Sequence, residues 1–245
     1  MTKDAAASLL RHMNKESIVD RIIRRLTNTI ISGELKPGDK IPTEVELSEA
    51  LGVGRNSVRE AVKALVAMGI LNIRRAEGTF VAEGFTQRML DPITYGLILE
   101  GGNTAAVIEL RQVMDTGVIQ LAITKATPGD IRKLEEVLRS MEQTIANNPT
   151  HEALQQLDLA FHNELERIAD NPLIEKFSEV IQRISRASRD KAVQSFIDQK
   201  ELSQFLDLHR RLLGLVQNKD VERVPLVMRE HFKYWEQVLT EKESV

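Results

Sequence analysis

The chain has 245 residues, of which 42% are hydrophobic and 28% charged, and it contains no cysteine. This composition suits two folded domains and excludes a largely disordered chain, disulfide bonds and thiolate metal sites. No apolar run is long enough to span a bilayer and no signal-peptide pattern begins the chain, so we expect a cytoplasmic protein with no membrane partner. Residues 1–82 carry 13 Lys or Arg against 10 Asp or Glu, and the remainder carries 20 against 26. A basic N-terminal segment and an acidic C-terminal segment indicate that the first binds a polyanion and the second does not.

The first 68 residues predict three helices. Residues 1–15 show no periodicity and are predicted to be a mobile tail, whereas Ile18–Ile31 predicts an amphipathic helix. A second helix is predicted to open around Pro42, where Thr43 and Glu46 stand at capping-box spacing. After a tight turn at residues 50–54, residues 55–68 predict a third helix, with the inward positions Val58, Ala61, Val62 and Leu65.

A short hairpin is predicted to follow the third helix. Gly69 ends the helical pattern, and residues 70–75 and 79–81 predict two strands around the turn Ala76-Glu77-Gly78. Helix, turn, basic helix and hairpin in this order predict a winged helix-turn-helix with a small β-hairpin wing.

This arrangement predicts binding to double-stranded DNA. In helix-turn-helix proteins the N-terminal residues of the second helix of the motif contact base edges in the major groove, and arginine and asparagine offer donors that match guanine and adenine. The predicted DNA-binding residues of the helix and the wing are Arg55, Asn56, Ser57, Arg59, Arg74, Arg75 and Gly78. An isolated arginine is more often a solvated surface charge, and that alternative stays open for Arg74 and Arg75.

The remainder of the chain predicts helices almost throughout. Residues 83–103 are predicted to be a linker with a short helix at 92–99. Six helices are predicted at residues 104–124, 128–146, 150–169, 172–193, 197–216 and 221–239. Amphipathic helices with short loops imply an antiparallel bundle. The fold class is therefore mainly α, with domains at residues 1–82 and 104–245.

Four side chains of the predicted bundle form a candidate metal set. Asp158 and His162 are spaced i, i+4 and so share one helix face, while His209 and His231 lie in two later helices. One carboxylate and three imidazoles suit Zn²⁺, with Ni²⁺ or Mn²⁺ as alternatives. From spacing alone, distant histidines are more often surface or capping groups.

Residues 41–81, IPTEVELSEALGVGRNSVREAVKALVAMGILNIRRAEGTFV, resemble the DNA-binding half of the GntR family of bacterial transcription regulators. The helical remainder resembles the FadR subgroup, which has an FCD-type C-terminal domain. In that subgroup the positions of Asp158, His162, His209 and His231 correspond to a metal-binding pattern, so the resemblance implies a divalent metal ion here. Three residues differ from the usual sequence pattern of the family: Val45, Gly54 and Ala76. These differences concern the choice of operator sequence, and the resemblance still implies binding to DNA.

The effector partner is predicted to be a small carboxylate or a sugar acid. Arg111 can clamp a carboxylate with two hydrogen bonds, and the alternative is an ordinary ion pair with Asp115 or Glu109. Arg183, Arg186 and Arg189 recur every three residues, which is more typical of a solvated helix face.

The resulting interpretation is a homodimeric transcription regulator and not an enzyme. Effector binding at the metal and Arg111 would alter operator binding, with repression as the default and activation as the alternative. A metal-dependent hydrolase or lyase that uses the Asp/His₃ set is a second hypothesis, although no nucleophile or base motif accompanies that set. A dimerisation platform without a ligand is a third.

Overall fold

The computed structural model describes residues 16–99 and 105–240, which fall into two compact units divided between Ile93 and Thr94. The predicted tail at residues 1–15 lies outside the described residues. The first unit contains α1 (Ile18–Ile31), α2 (Glu44–Leu51), α3 (Arg55–Ala67), β1 (Leu71–Arg74) and β2 (Gly78–Val81). The predicted domain limits at residues 82 and 104 lie on either side of the division and stay a prediction.

The start of α2 confirms the predicted capping box. The Thr43 hydroxyl accepts from the Glu46 N–H at 3.3 Å, and the Glu46 carboxylate accepts from the Thr43 N–H at 2.8 Å. Both donors would otherwise lack a partner at the helix end. Gly52, with φ 63°, ends α2 in the left-handed conformation and turns the chain into α3.

The core of the first unit is built from one face of each element. The four inward positions predicted on α3 are all buried, and they pack with Ile22 and Leu26 of α1 and with Leu71 and Val81 of the hairpin. Ile18, in the first turn of α1, is 49% exposed and does not belong to this core.

The wing is an antiparallel hairpin that pairs Leu71 with Val81 and Arg74 with Gly78. Lys40 forms an isolated antiparallel bridge with Phe80, so the segment before α2 lies alongside β2 at the edge of the hairpin. Ala76, in the wing turn, has φ 64°, a conformation that costs a residue with a Cβ about 1–2 kcal/mol.

A further helix, α4 (Gln87–Leu99), follows the wing. It begins five residues before the predicted start at Pro92, which lies inside it. Proline usually marks a helix start, because it lacks an N–H, so the pattern alone placed the boundary too late.

The second unit is an all-helical bundle. Its elements are α5 (Ala105–Lys125), α6 (Pro128–Ala146), α7 (His151–Ala169), α8 (Pro172–Ile184), α9 (Arg186–Asp198), α10 (Leu202–Asn218) and α11 (Val224–Thr240). Helix α7 packs against α5, α6 and α9, and α5 also packs against α10 and α11. Within the described ranges, no helix combines the length and apolar character that crossing a membrane requires.

The single helix predicted at residues 172–193 is wrong, because two helices meet there at Ser185. Ser185 is fully buried, and its hydroxyl donates to the carbonyl of Ile181 at 2.6 Å. A serine that bonds back to the carbonyl four residues earlier commonly bends a helix. The helix predicted to start at residue 197 begins instead at Leu202, after a left-handed residue at Lys200 with φ 59°.

We predict that Ala76→Gly stabilises the wing. Glycine removes the left-handed penalty of about 1–2 kcal/mol, offset by about 0.5–1 kcal/mol of additional chain entropy in the unfolded state. Hydrogen exchange of the Phe80 amide is therefore expected to slow. In Gly78→Ala it is expected to accelerate, because φ is 128° and the added Cβ would lie 2.6 Å from Lys40 Cε. Equal exchange in all three proteins would contradict the argument.

Candidate functional site

The predicted DNA-reading residues lie at the start of α3. Arg55, Asn56 and Arg59 are exposed and Ser57 is half-buried. Gly54 caps the helix without a side-chain hydrogen bond, so the first N–H groups of α3 are not covered by a capping side chain. Arg59 Nη2 donates to Asn56 Oδ1 at 2.5 Å, which fixes the orientation of the asparagine amide. This helix end therefore presents cations, an amide and backbone donors together.

The wing residues are placed in different ways. Arg74 pairs with Glu83 at 2.6 Å, and its guanidinium carbon lies 4.4 Å from the centroid of the Phe80 ring. Arg75 is exposed. The side chain of Lys40 runs alongside Gly78, and this lysine is a cation of the wing that the sequence reasoning missed. Lys40 belongs to the wing only because its segment pairs with β2, and no local sequence pattern indicates that pairing.

The four candidate metal ligands lie together in the centre of the second unit. Asp158 and His162 come from α7, His209 from α10 and His231 from α11, and each is at most 6% exposed. One ligand atom each from Asp158, His162 and His209 lies within 4.8 Å of the others. The ring centroid of His231 is 5.1 Å from that of His162 and 5.5 Å from that of His209. The structure thus brings together residues that are up to 73 positions apart in the chain.

Hydrogen bonding fixes how His209 faces the carboxylate. Its Nδ1 lies 2.8 Å from the carbonyl oxygen of Phe205, which can only accept, so Nδ1 carries the proton. In a neutral ring, Nε2 then directs a lone pair at Asp158 Oδ1 from 3.1 Å. Two acceptors at this distance require a cation between them or a second proton on the ring. An N–H donated to a backbone carbonyl is also the usual support of a metal-binding histidine.

Two further imidazole nitrogens point to the same requirement. His162 Nε2 and His231 Nδ1 are buried and have no hydrogen-bond partner among the described residues. His162 Nε2 is 3.8 Å from Asp158 Oδ1, the atom that His209 also faces. Buried polar atoms are normally satisfied, so these residues fit a divalent cation bound among them.

The protonation states also suit metal binding. Burial lowers the pKa of His162 well below its usual value, and burial with the neighbouring His209 lowers the pKa of His231 to about 3. Burial would raise the pKa of Asp158, but the neighbouring ring of His209 and the guanidinium of Arg189 hold it well below its usual value. Neutral imidazole and ionised carboxylate are the forms that bind a metal.

Arg111 lies buried beside this cluster and not on the surface. Its Nε donates to Asp115 Oδ2 at 3.2 Å, which is one of the two ion pairs considered from the sequence. Burial lowers the pKa of Arg111 to about 10, and burial raises the pKa of Asp115. Arg111 therefore stays a cation at neutral pH.

Two charged residues of this region were not assigned from the sequence. Arg189 was expected on a solvated face, but it is only 5% exposed, with Nε 3.6 Å from Asp158 Oδ2. The break at Ser185 explains the error, since it starts a new helix with a new orientation. Glu166 accepts from Gln182 at 3.0 Å, and burial raises its pKa to about 7. Both depend on tertiary packing, which the helical period does not contain.

Both segments match known families. Residues 18–81 match the bacterial regulatory proteins of the gntR family, and residues 106–234 match the FCD domain. The chain belongs to the GntR family, in the subgroup with an FCD domain. GntR regulators bind DNA operators, so this protein is a transcription regulator and not an enzyme. These matches do not support the hydrolase or lyase hypothesis.

Characterised relatives cover most of the chain. The galactonate operon transcriptional repressor of Escherichia coli (strain K12) is 28% identical over 205 residues, which is 82% of this chain and 87% of the relative. The HTH-type transcriptional regulator LutR of Bacillus subtilis (strain 168) is 28% identical over 215 residues, 86% and 96% of the two chains. A solved structure of a Streptococcus agalactiae GntR has a TM-score of 0.52 and 23% identity, over 93% of this chain and 100% of that chain, which shows a shared fold.

We predict that the metal-free protein loses stability in acid through these histidines. Since the folded-state pKa of His231 is about 3, the unfolded chain takes up a proton below about pH 6.5 that the folded chain does not. The free energy of unfolding therefore falls by about 1.4 kcal/mol per pH unit for each such histidine, down to its folded pKa. His231→Gln should reduce the slope between pH 6 and 4, measured by urea unfolding in a chelator. An unchanged slope would contradict the buried neutral state.

Proposed function

We propose that this regulator is a repressor that binds its operator as a homodimer and is released by an organic acid bound at a metal centre. The observation that supports the metal centre is the buried Asp/His₃ cluster, in which two imidazole nitrogens have no hydrogen-bond partner in the part of the chain that the structure describes. Among the relatives, one is named a repressor of a galactonate operon.

Operator recognition is assigned to α3 and the wing. Arg55 and Asn56 would contact base edges, whereas Arg59 and Ser57 would contact phosphate or support these contacts. Arg75 and Gly78 would approach the minor groove, and Arg74 would do so after leaving Glu83. The exposed helix end and the close Lys40–Gly78 approach support this assignment.

Asp158, His162, His209 and His231 are proposed to hold the metal ion, with Zn²⁺ expected and Ni²⁺ or Mn²⁺ as alternatives. Bound there, the ion supplies an open coordination position for an oxygen of the effector. The chain itself orients the ligands, since the carbonyl of Phe205 fixes the tautomer of His209.

The charge of the site favours an anionic effector. Arg111 and Arg189 are both buried, and they are balanced by the carboxylates of Asp115 and Asp158. Adding a divalent cation leaves about two excess positive charges in a region that excludes water, which is costly unless an anion is bound. A carboxylate beside Arg111 provides that compensation.

Dimerisation is assigned to an apolar surface of the second unit. Leu110 and Val113 of α5 are 40% and 69% exposed, and Leu173 and Phe177 of α8 are 56% and 43% exposed. Helices α5 and α8 pack against each other. Two copies that cover this surface would be related by a two-fold axis, as a near-palindromic operator requires.

We predict that Arg55→Ala and Arg59→Ala each weaken operator binding by about 1–3 kcal/mol, about 5- to 150-fold. The measurement is a titration at about 150 mM salt against a duplex selected from a random library, because affinity depends on salt. Arg139→Ala, an exposed arginine of α6, removes the same charge outside the DNA-binding unit and should leave the affinity unchanged. Failure to select any preferred duplex would defeat the operator claim.

Elemental analysis tests the metal centre. Wild-type protein dialysed against Zn²⁺, Ni²⁺ or Mn²⁺ should retain about one equivalent per chain, and the Asp158→Ala/His162→Ala double variant should retain none. His151→Ala is the matched control, because this histidine lies outside the cluster and contacts the Asp190 carbonyl at 2.9 Å. Circular dichroism establishes that each variant is folded. A metal-free wild type with all three ions would remove the site from the proposal.

A further inference from the structure

Two exposed side chains, Arg55 and Asn56, open α3 and differ in what they offer a base. Arg55 has donors only, whereas an asparagine amide has an NH₂ donor at one end and a carbonyl acceptor at the other. The described first turn of α3 contains no acidic residue, which would be a further acceptor. The orientation of the Asn56 amide therefore decides whether the exposed side chains of this turn present an acceptor to a base edge.

Arg59 holds that amide by its carbonyl end. Its Nη2 donates to Asn56 Oδ1 at 2.5 Å, across the i, i+3 spacing that places both side chains on one helix face. A guanidinium has no acceptor, so it can bond the carbonyl oxygen of the amide but not the NH₂ group. The donor is charged, and such hydrogen bonds are about twice as strong as neutral ones. The NH₂ group of Asn56 is therefore the end of the amide that a base meets.

Guanine and adenine differ in the major groove at the atoms that such an amide would contact. Adenine presents the N7 acceptor beside the N6 donor, and an asparagine reads it with both ends of the amide at once. With its carbonyl oxygen bound to Arg59, Asn56 cannot accept from N6, and its own N–H groups would face that donor. Guanine presents two acceptors, N7 and O6, which match the two N–H groups of the amide.

We propose that Arg59 is a positioning residue that makes Asn56 a reader with donors only, so that Asn56 selects guanine over adenine in each operator half-site. This choice differs from the adenine pairing that an asparagine makes when both ends of its amide are free. The remaining N–H groups of Arg59 are still available to a phosphate. The inference rests on the proposed function, since it names the base that the operator-reading helix selects.

Binding of the full-length protein to base-substituted duplexes tests the proposal. The starting duplex is the one selected from the random library, and the salt is again about 150 mM. Asn56→Ala locates the contact, because this variant should lose discrimination at one base pair of each half-site and keep it elsewhere. At that base pair the wild type is expected to bind guanine about 5- to 150-fold more tightly than adenine, the range for one good side-chain contact to a base.

Modified bases show which edge of the guanine is read. Replacing it with 7-deazaguanine removes the N7 acceptor and should weaken binding of the wild type. Inosine keeps N7 and O6 and lacks only the amino group that lies in the minor groove, so it should bind as guanine does. Both substitutions should have no effect on the affinity of Asn56→Ala.

Arg59→Leu tests the positioning role. Once the carbonyl oxygen is free, Asn56 can turn and pair with adenine, so the preference for guanine over adenine should fall by about fivefold or more. Lys63→Ala is the matched control, because it removes another exposed cation of α3. Loss of a phosphate contact weakens all duplexes alike, so this control should leave the ratio of the two affinities unchanged.

The outcomes separate this inference from the proposed function. A preference for adenine at the located base pair overturns it, and so does a ratio that is unchanged in Arg59→Leu. A specificity profile that Asn56→Ala does not alter also overturns it. In each of these cases the selected duplex still supports the proposed binding to an operator. If no duplex is selected, the proposed operator binding fails and this inference fails with it.

Discussion

A buried carboxylate organises the second unit. Asp158 is 6% exposed, and groups from three other helices, α9, α10 and α11, approach it or its histidine neighbours. An ionised group at this depth persists only when cations or polarised donors surround it. The positions of His209 and Arg189 are thus consequences of one electrostatic requirement. The same requirement explains why the imidazoles face inward among apolar side chains such as Phe161, whose ring centroid is 5.1 Å from that of His209.

The break at Ser185 separates the arginines of α8 and α9. In a continuous helix at residues 172–193, Arg183, Arg186 and Arg189 would each be rotated by only about 60° from the one before, and would form one charged strip. Because α9 begins anew at Arg186, the third arginine is buried while the first two stay exposed. Because of the bend in the backbone, the three arginines lie at different depths, from the surface to the Asp/His₃ cluster.

The sequence predicted the features that depend on local chemistry. The capping box at Thr43 and Glu46, the inward positions of α3 and the shared face of Asp158 and His162 all follow from short spacings, and the first two are confirmed. The break at Ser185, the extended start of α4 and the burial of Arg189 were missed, because a helical period does not show which carbonyl a serine contacts or where a helix turns. The approach of His209 and His231 was expected from the resemblance, since spacing cannot bring distant helices together.

The pairing of Arg74 with Glu83 changes how basic the wing is toward a polyanion. A cation already neutralised at 2.6 Å and stacked on Phe80 holds few mobile counterions of its own. Counterion release is the source of the steep salt dependence of DNA binding, with a slope of about −0.9 per phosphate neutralised on a logarithmic scale. If Arg74 stays paired with Glu83 when the protein binds the duplex, Arg74 neutralises no phosphate. The measured salt dependence is then smaller than the number of cations in the wing predicts. If Arg74 leaves Glu83 and contacts a phosphate, the unpaired carboxylate of Glu83 repels the DNA backbone. Binding of the wing then depends on the width and the electrostatic potential of the groove.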